Sequence, residues 1–205
     1  MGLHKLDRNA DNHSVAGRWW LPAIVLIGAA ALLLAGELGR DWLRFDREGI
    51  RSGELWRLFT GHFVHLGWPH FALNGAGLAL VWYLVGDVFD RHRWILIFAV
   101  SILAMDVGLW IFDPELMWYV GLSGLLHGIL AAGLVERLRK PDKETLVLTS
   151  LLIGKLVWEQ ISGPLPGSEG TAGGMVVVDS HLFGALGGAA AAFLLRNRVR
   201  PAAPI

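Results

Sequence analysis

One serine and a few histidines stand out in an otherwise apolar sequence. Ser123 lies within YVGLSGLLHG, residues 119–128, where glycines flank it and His127 follows four residues later. His181 opens a separate apolar stretch. A serine hydroxyl beside an imidazole is the minimal activated nucleophile, because the imidazole takes the hydroxyl proton during attack and returns it to the leaving amine. The sequence therefore offers a Ser–His pair for acyl transfer, provided that the fold joins these stretches.

Acyl transfer also requires hydrogen-bond donors for the oxyanion. His70 and Asn74 are four residues apart, which places them on one face of a helix. Both side chains can donate a hydrogen bond, and so can the backbone N–H of Ser123 if that residue lies near the start of its helix. A lone serine in a membrane helix commonly bonds a carbonyl one turn back, so only the combination of these residues indicates a site.

The composition indicates an all-α integral membrane protein. Of the 205 residues, 54% are hydrophobic and only 18% are charged, which is unusual for a soluble domain. Runs of about 20 apolar residues are typical of membrane spans. Six such runs predict a compact six-transmembrane-helix bundle with short loops: 19–36, within 66–86, within 94–112, within 116–135, from about 145 to before 164, and about 180–195.

Several function classes are disfavoured by composition. The formal net charge is zero, so there is no electrostatic case for a nucleic-acid partner. The chain has no cysteine, which excludes disulfides, thiolate chemistry and cysteine metal sites. We expect no cofactor and no metal. The ten tryptophans suit the interfaces of a lipid bilayer.

Lysines and arginines in the loops predict the orientation. They concentrate before the first span, in the second and fourth loops and after the last span, so both termini are expected in the cytoplasm. We predict a cytoplasmic segment 1–18, a membrane domain 19–195 and a cytoplasmic tail 196–205. The first span is interpreted as an uncleaved helix rather than a signal peptide. The first loop, residues 37–67, has balanced charges and embedded aromatic residues and is expected to be folded.

With this orientation the second, fourth and sixth helices begin at the outer face. Ser123, His181 and the His70–Asn74 pair would then lie at one depth, and polar groups in a membrane usually face a cavity or each other. Two pairs of glycines four residues apart would let the fourth and sixth helices approach closely. The pairs are Gly124 with Gly128 and Gly184 with Gly188.

Four motifs together resemble the rhomboid intramembrane serine proteases. Gly121-Leu-Ser123-Gly124 resembles their GxSG nucleophile motif, and His181-Leu-Phe-Gly184 with Gly188 resembles their HxxGxxxG helix. The spacing of His65, His70 and Asn74 is similar to their second-helix signature. Glu54-Leu-Trp56-Arg57 resembles the Trp-Arg motif of their first loop. The resemblance covers about residues 50–195.

The resemblance implies a Ser–His dyad hydrolase without an obligatory carboxylate. Ser123 would be the nucleophile and His181 the base. His70, Asn74 and the Ser123 amide would form the oxyanion hole. The fifth loop, residues 162–180, would cap the site, and the fifth helix would be a possible lateral gate. Trp56, Arg57, His65 and the motif glycines would support this arrangement.

His127 stands where many rhomboids have an aromatic residue, and GLSGLLHG resembles the rhombosortase subgroup. That resemblance implies a bacterial inner-membrane enzyme whose site opens to the periplasm. Its substrates would be single-span proteins with a C-terminal Gly-Gly, hydrophobic and basic tail, the GlyGly-CTERM pattern. Cleavage near small residues is physically reasonable, because glycine lets a helix unwind and enter a narrow site.

Six further polar residues stand out in the sequence. His127 lies one turn from Ser123 and could hydrogen-bond His181 to orient its ring, or simply pack beneath it. Asp179 is a second candidate for that role. Lys155 and Glu159, four residues apart in the fifth helix, are expected to neutralise each other in the interior, with gating or recognition of the tail as an alternative. His62 is expected at the surface or interface. Asp106 interrupts the third helix, and its role is not predicted.

Other functions are weaker on the same residues. A conventional rhomboid protease with different substrates would share the four family motifs and is the main alternative. A non-catalytic rhomboid-like binder would be expected to lack Ser123 or His181, and both are present. A metal site would have to be built from histidines without a carboxylate or cysteine at a standard spacing. A transporter would be expected to show an internal repeat, which is not evident.

Overall fold

The computed structural model describes residues 15–196, and that part of the chain is mostly helical. Six helices are long: α1 Val15–Leu34, α5 Trp68–Val85, α6 Arg91–Phe112, α7 Ser123–Arg137, α8 Lys143–Ser162 and α10 Val178–Arg196. Four helices and two strands are short: α2 Gly36–Leu43, β1 Phe45–Asp46, α3 Arg47–Arg51, α4 Arg57–Thr60, β2 Trp118–Tyr119 and α9 Ser168–Ala172. Most of the predicted cytoplasmic segment 1–18 and nearly all of the tail 196–205 lie outside the described residues.

Local signals fix where several long helices begin. Pro69 lies in the first turn of α5, where its missing N–H costs nothing. The Asp90 carboxylate accepts hydrogen bonds from two backbone N–H groups at the start of α6. The Asp142 carboxylate accepts one from the Thr145 N–H at the start of α8, and this bond lowers the pKa of Asp142. These caps lie at loop–helix boundaries close to those that the charge pattern predicted.

Within residues 15–196, three helices are long and apolar enough to cross a bilayer, namely Gly17–Leu34, Arg91–Phe112 and Val178–Leu195. Large side chains on them point outward, among them Ile27 at 70% and Phe112 at 72% exposure. Such surfaces match a lipid environment, and the chain is a multi-pass membrane protein. Crossing by α5, α7 and α8, and hence the total of six spans, remains a prediction.

The first loop is folded, as its balanced charges predicted. The Arg57 guanidinium donates to Glu54 at 2.5 Å and to the backbone carbonyls of Asp41 and Arg44. Trp56 stays partly exposed, and its indole N–H donates to the carbonyl of Trp42. These contacts hold the first loop in shape, and they agree with the supporting role that the resemblance implies for Arg57.

Arg47 anchors the first loop to the end of α6. It is only 3% exposed, and its guanidinium donates to the carbonyls of Leu109, Asp113 and Leu116, each at 2.8 Å. The last carbonyls of a helix lack partners within it, so a cation placed there is favourable. Beside this anchor, β1 pairs antiparallel with β2, with Phe45 opposite Tyr119.

The packing of α7 against α10 lies at the centre of the bundle and depends on the four predicted glycines. A Cβ atom added to Gly184 would collide with the carbonyl oxygen of Gly124, and one added to Gly188 would collide with that of Gly128. The two backbones therefore touch without side chains between them, as small residues at this spacing allow. The predicted close approach of these helices is observed.

Replacing Gly184 by alanine should destabilise the protein, because the added methyl has only backbone to displace. We expect a loss of about 1–3 kcal/mol, the usual cost of overpacking. Gly154→Ala is the matched control, since nothing lies within 4 Å of a Cβ there. Thermal unfolding in detergent micelles measures both variants. Equal melting temperatures for the two would contradict the proposed tight contact.

Candidate active site

Ser123 and His181 meet where the first turns of α7 and α10 lie side by side. Ser123 is the first residue of α7, and His181 is the fourth of α10. The Ser123 Oγ lies 2.9 Å from the His181 Nε2, within hydrogen-bond range. Ser123 is partly exposed, whereas His181 is 4% exposed. The arrangement gives an accessible hydroxyl with a buried imidazole as its proton acceptor.

The helix that begins at Ser123 starts inside the predicted range 116–135 and ends at Arg137, two residues beyond it. β2 and an irregular segment occupy the residues just before Ser123. Gly121 has φ +127°, a conformation that side chains rarely adopt. The Tyr119 hydroxyl donates to the Gly121 carbonyl at 2.5 Å, and the Gly121 N–H donates to the Gly61 carbonyl. These bonds fix the approach to the serine, so the segment cannot continue the helix backwards.

His70 and Asn74 face the backbone just before Ser123. A Cβ atom at Gly121 would lie 3.0 Å from His70 Cε1 and 4.0 Å from Asn74 Nδ2. The Leu66 N–H donates to His70 Nδ1, which leaves Nε2 as the protonated nitrogen. Asn74 Nδ2 is buried and has no hydrogen-bond partner among the described residues. Both predicted oxyanion residues thus place N–H groups beside Gly121, two residues before Ser123.

His65 supports His70 through ring packing. The two ring centroids are 5.0 Å apart in an edge-to-face arrangement, and Phe71 packs on His65 in the same way. Burial, with a smaller contribution from neighbouring His70, lowers the pKa of His65 to about 4. A neutral His65 therefore behaves as an aromatic packing residue at physiological pH.

His127 lies beneath His181, but not with the hydrogen bond that the sequence suggested. Its ring stacks on that of His181 with centroids 4.3 Å apart and an interplanar angle of 21°. Its Nδ1–H donates instead to the Ser123 carbonyl at 2.7 Å. The alternative expectation, packing beneath the base as an aromatic residue would, describes this geometry.

Glu159 is the neighbour of His181 that sequence reasoning missed. Its Oε2 lies 2.9 Å from His181 Nδ1, and its Oε1 accepts from the Lys155 ammonium at 2.6 Å. The expected Lys155–Glu159 pair is therefore present, but it is part of a longer chain of polar contacts. The i,i+4 spacing was visible in the sequence, whereas the contact with α10 depends on how α8 is rotated.

Asp179, the other acidic candidate for orienting His181, points elsewhere. Its Oδ1 accepts a hydrogen bond from the Gln160 amide at 3.2 Å. The offset of two residues from His181 places it on a different face of α10, which is why it does not reach the imidazole.

His62 and Asp106 form a buried pair beside the segment that precedes Ser123. His62 is fully buried, so the expectation of a surface or interfacial position was wrong. Its Nε2 lies 3.0 Å from Asp106 Oδ1, which explains why an acidic residue lies in the middle of the apolar helix α6. The His62 ring also packs 5.4 Å from that of Tyr119, whose hydroxyl holds Gly121. The pair thus supports the segment 119–122 that leads into Ser123.

Among the described residues, one group has metal-binding side chains close together. His127, Glu159 and His181 have potential ligand atoms within 4.8 Å of one another. The Lys155 ammonium already lies 2.6 Å from the Glu159 carboxylate and would repel a second cation. The three residues are therefore better explained as a base and its neighbours than as metal ligands.

The fifth loop reaches the start of α5, beside the site. It contains α9, and a Cβ at Gly174 would collide with the side chain of Leu66. Leu66 donates its N–H to His70, so this part of the loop lies next to the predicted oxyanion residues. The position is compatible with the predicted cap.

Comparison with known proteins agrees with this architecture. Residues 52–198 match the Rhomboid domain, which is more than half of the chain. The chain belongs to the rhomboid family. The matched residues include Arg57 of the first loop, the helices α7 and α10 that carry Ser123 and His181, and α8 with Glu159.

The individual relatives are distant in sequence, and they carry names of the same family. YdcA of Bacillus subtilis (strain 168), which carries the name of a rhomboid protease, is 24% identical over 77% of this chain and 75% of its own length. The rhomboid protease GlpG of Salmonella choleraesuis (strain SC-B67) is 29% identical over 66% of this chain. The chain spans about half the length of GlpG, 49%. These matches support the predicted enzyme class, an intramembrane serine protease.

Gly121→Ala should slow proteolysis in this rhomboid, because its methyl would strain the backbone and crowd the His70 ring. Backbone strain of this kind costs of order 1–3 kcal/mol, so a rate loss of about tenfold or more is expected if His70 moves. Gly53→Ala is the control, since Gly53 also has positive φ but has nothing within 4 Å. The measurement is the cleavage rate per molecule of folded protein. Similar losses in both variants would contradict a specific effect on His70.

Proposed function

We propose that this protein is a serine endopeptidase that cleaves single-span membrane proteins near the outer face of the bacterial inner membrane. The observation that carries the proposal is the 2.9 Å contact between Ser123 Oγ and His181 Nε2 at the joined ends of α7 and α10. Family membership supports the enzyme class, and the geometry supports the roles of these two residues.

The proposed reaction follows from the positions of the polar atoms. Ser123 Oγ attacks the scissile carbonyl carbon while His181 Nε2 takes its proton. The oxyanion receives hydrogen bonds from His70, Asn74 and the Ser123 amide, whose N–H lies at a helix start where such groups point outward. His181 then protonates the leaving amine as the C–N bond breaks. Water then attacks the carbonyl carbon of the acyl-enzyme while His181 Nε2 takes its proton. His181 returns that proton to Ser123 Oγ as the ester bond breaks.

The proposed location of the site explains why its polar residues cluster at one end. The first turns of α5, α7 and α10 carry His70, Ser123 and His181. With both termini in the cytoplasm, that end faces the periplasm, and water can reach the acyl-enzyme. The exposed apolar side chains around the bundle face lipid. No cofactor is needed for any of these steps.

Within the family, we propose the rhombosortase subgroup. Support comes from GLSGLLHG and from the stacking of His127 on His181, where the resemblance places a different aromatic residue in other rhomboids. The substrates would carry a C-terminal tail of Gly-Gly, a hydrophobic span and a basic end. A conventional rhomboid protease with other substrates is the alternative.

The experiment is cleavage of a co-expressed reporter that bears such a tail. We expect cleavage with wild type and with Ser150→Ala, whose serine is exposed on α8, and none with Ser123→Ala at matched expression. Replacing Gly-Gly in the tail by Leu-Leu should reduce cleavage of the reporter.

Three other outcomes would change the assignment. Equal cleavage with Ser123→Ala would indicate another protease or mechanism. Equal cleavage of both tails would argue against rhombosortase specificity. If the reporter stays intact in every strain, a conventional rhomboid substrate becomes the test of the alternative.

A further inference from the structure

We infer that Glu159 is a positioning residue that completes a Ser–His–Glu triad. This inference rests on the proposed function, and it adds a carboxylate that a Ser–His dyad does not require. Glu159 lies on α8, 22 residues before His181 in sequence, and its carboxylate oxygen is 2.9 Å from the imidazole Nδ1. Both residues are buried, at 3% and 4% exposure.

The carboxylate settles which imidazole nitrogen carries the proton. An ionised carboxylate can only accept hydrogen bonds, so His181 Nδ1 must be the donor to Glu159. A neutral imidazole has one N–H, which leaves Nε2 with its lone pair directed at the Ser123 hydroxyl 2.9 Å away. This is the tautomer that a general base requires. With the opposite tautomer, Nε2 could not take the serine proton.

Lys155 lowers the free-energy cost of burying the Glu159 carboxylate, and Glu159 remains the partner of His181. The ammonium donates to Oε1 of Glu159 at 2.6 Å, while Oε2 faces the imidazole. Lys155 Nζ is also 3.4 Å from His181 Nδ1, which is beyond the usual hydrogen-bond range. An ammonium can only donate, so the acceptor for His181 Nδ1–H is Glu159 at the shorter distance of 2.9 Å. An isolated buried carboxylate would be costly, and pairing reduces that cost.

The burial pattern of α8 gives an independent reason to assign a role to Glu159. Only three residues of this helix are buried, namely Thr145, Leu152 and Glu159. The chain thus places an acid where an apolar residue would pack at lower cost. Its second oxygen is aimed at the base, rather than at a second cation or a helix end.

His181 is consequently held on three sides. Ser123 lies at Nε2, Glu159 at Nδ1, and the His127 ring stacks against the imidazole plane. When Nε2 takes the serine proton, the imidazolium keeps both hydrogen bonds and lies beside an opposite charge. Glu159 does not take a proton in this account. It fixes the ring and stabilises the imidazolium until the proton passes to the leaving amine.

The test is the rate at which a fluorophosphonate, a serine-directed probe, labels Ser123 in the purified full-length protein in micelles. Labelling requires the base but no knowledge of the natural substrate. We expect Glu159→Gln to lower the maximal labelling rate by about a hundredfold or more, the usual contribution of general-base catalysis. The concentration of probe at half-maximal rate should change by less than about twofold, since the binding surface is intact.

Two control variants exclude a general effect of charge on α8. Glu144→Gln makes the same change on the same helix, where Glu144 forms an exposed ion pair with Arg137 at 3.6 Å. It should label at the wild-type rate. Glu159→Asp retains the charge and should recover part of the rate lost in Glu159→Gln. Thermal unfolding of each variant checks that the labelled protein is folded.

A double variant separates orientation of His181 from simple neutralisation of Lys155. Lys155→Met with Glu159→Gln removes both charges, so no unpaired ion remains buried. If Glu159 orients the base, the double variant stays slow. Recovery to the wild-type rate would overturn the inference, and so would wild-type labelling by Glu159→Gln alone. Absence of Ser123 labelling in wild type would instead overturn the proposed function, and this inference with it.

Discussion

The backbone contact between α7 and α10 is the constraint on which the site depends. Gly124 and Gly128 lie against Gly184 and Gly188 with no side chain between them. Ser123 and His181 sit immediately outside this contact, each on the first turn of its helix. A wider separation would take the serine hydroxyl out of reach of the imidazole. The glycines therefore act on the chemistry through distance rather than through any reactive group.

A second layer of contacts holds the approach to the serine. Tyr119 and Gly61 bind the backbone of Gly121, the buried pair of His62 and Asp106 lies below, and Arg47 anchors the first loop to α6. Buried polar groups of this kind are costly unless they are paired. These polar groups surround the segment that precedes Ser123. Their hydrogen bonds hold that segment in a conformation that helix packing alone would not fix.

Much of this arrangement could be predicted because it is local. The apolar runs gave the long helices, and the glycine spacing gave the packing of α7 on α10. The apolar run limited α7 only to the range 116–135, because the non-helical geometry of Gly121 that precedes the helix is not visible in an apolar run. His62 with Asp106, and His181 with Glu159, are separated by 44 and 22 residues. Such pairs depend on the rotation of one helix against another, which side-chain periodicity alone does not fix.

The proposed chemistry requires that His181 rests with its proton on Nδ1, held there by Glu159. Nitrogen-15 NMR of histidine-labelled protein reports the protonation of each ring nitrogen, and the His181 signals can be assigned by their loss in His181→Gln. We expect a protonated Nδ1 and an unprotonated Nε2 in wild type, with that preference lost in Glu159→Gln. A wild-type His181 with its proton on Nε2 would show that Glu159 does not set the tautomer that a general base needs.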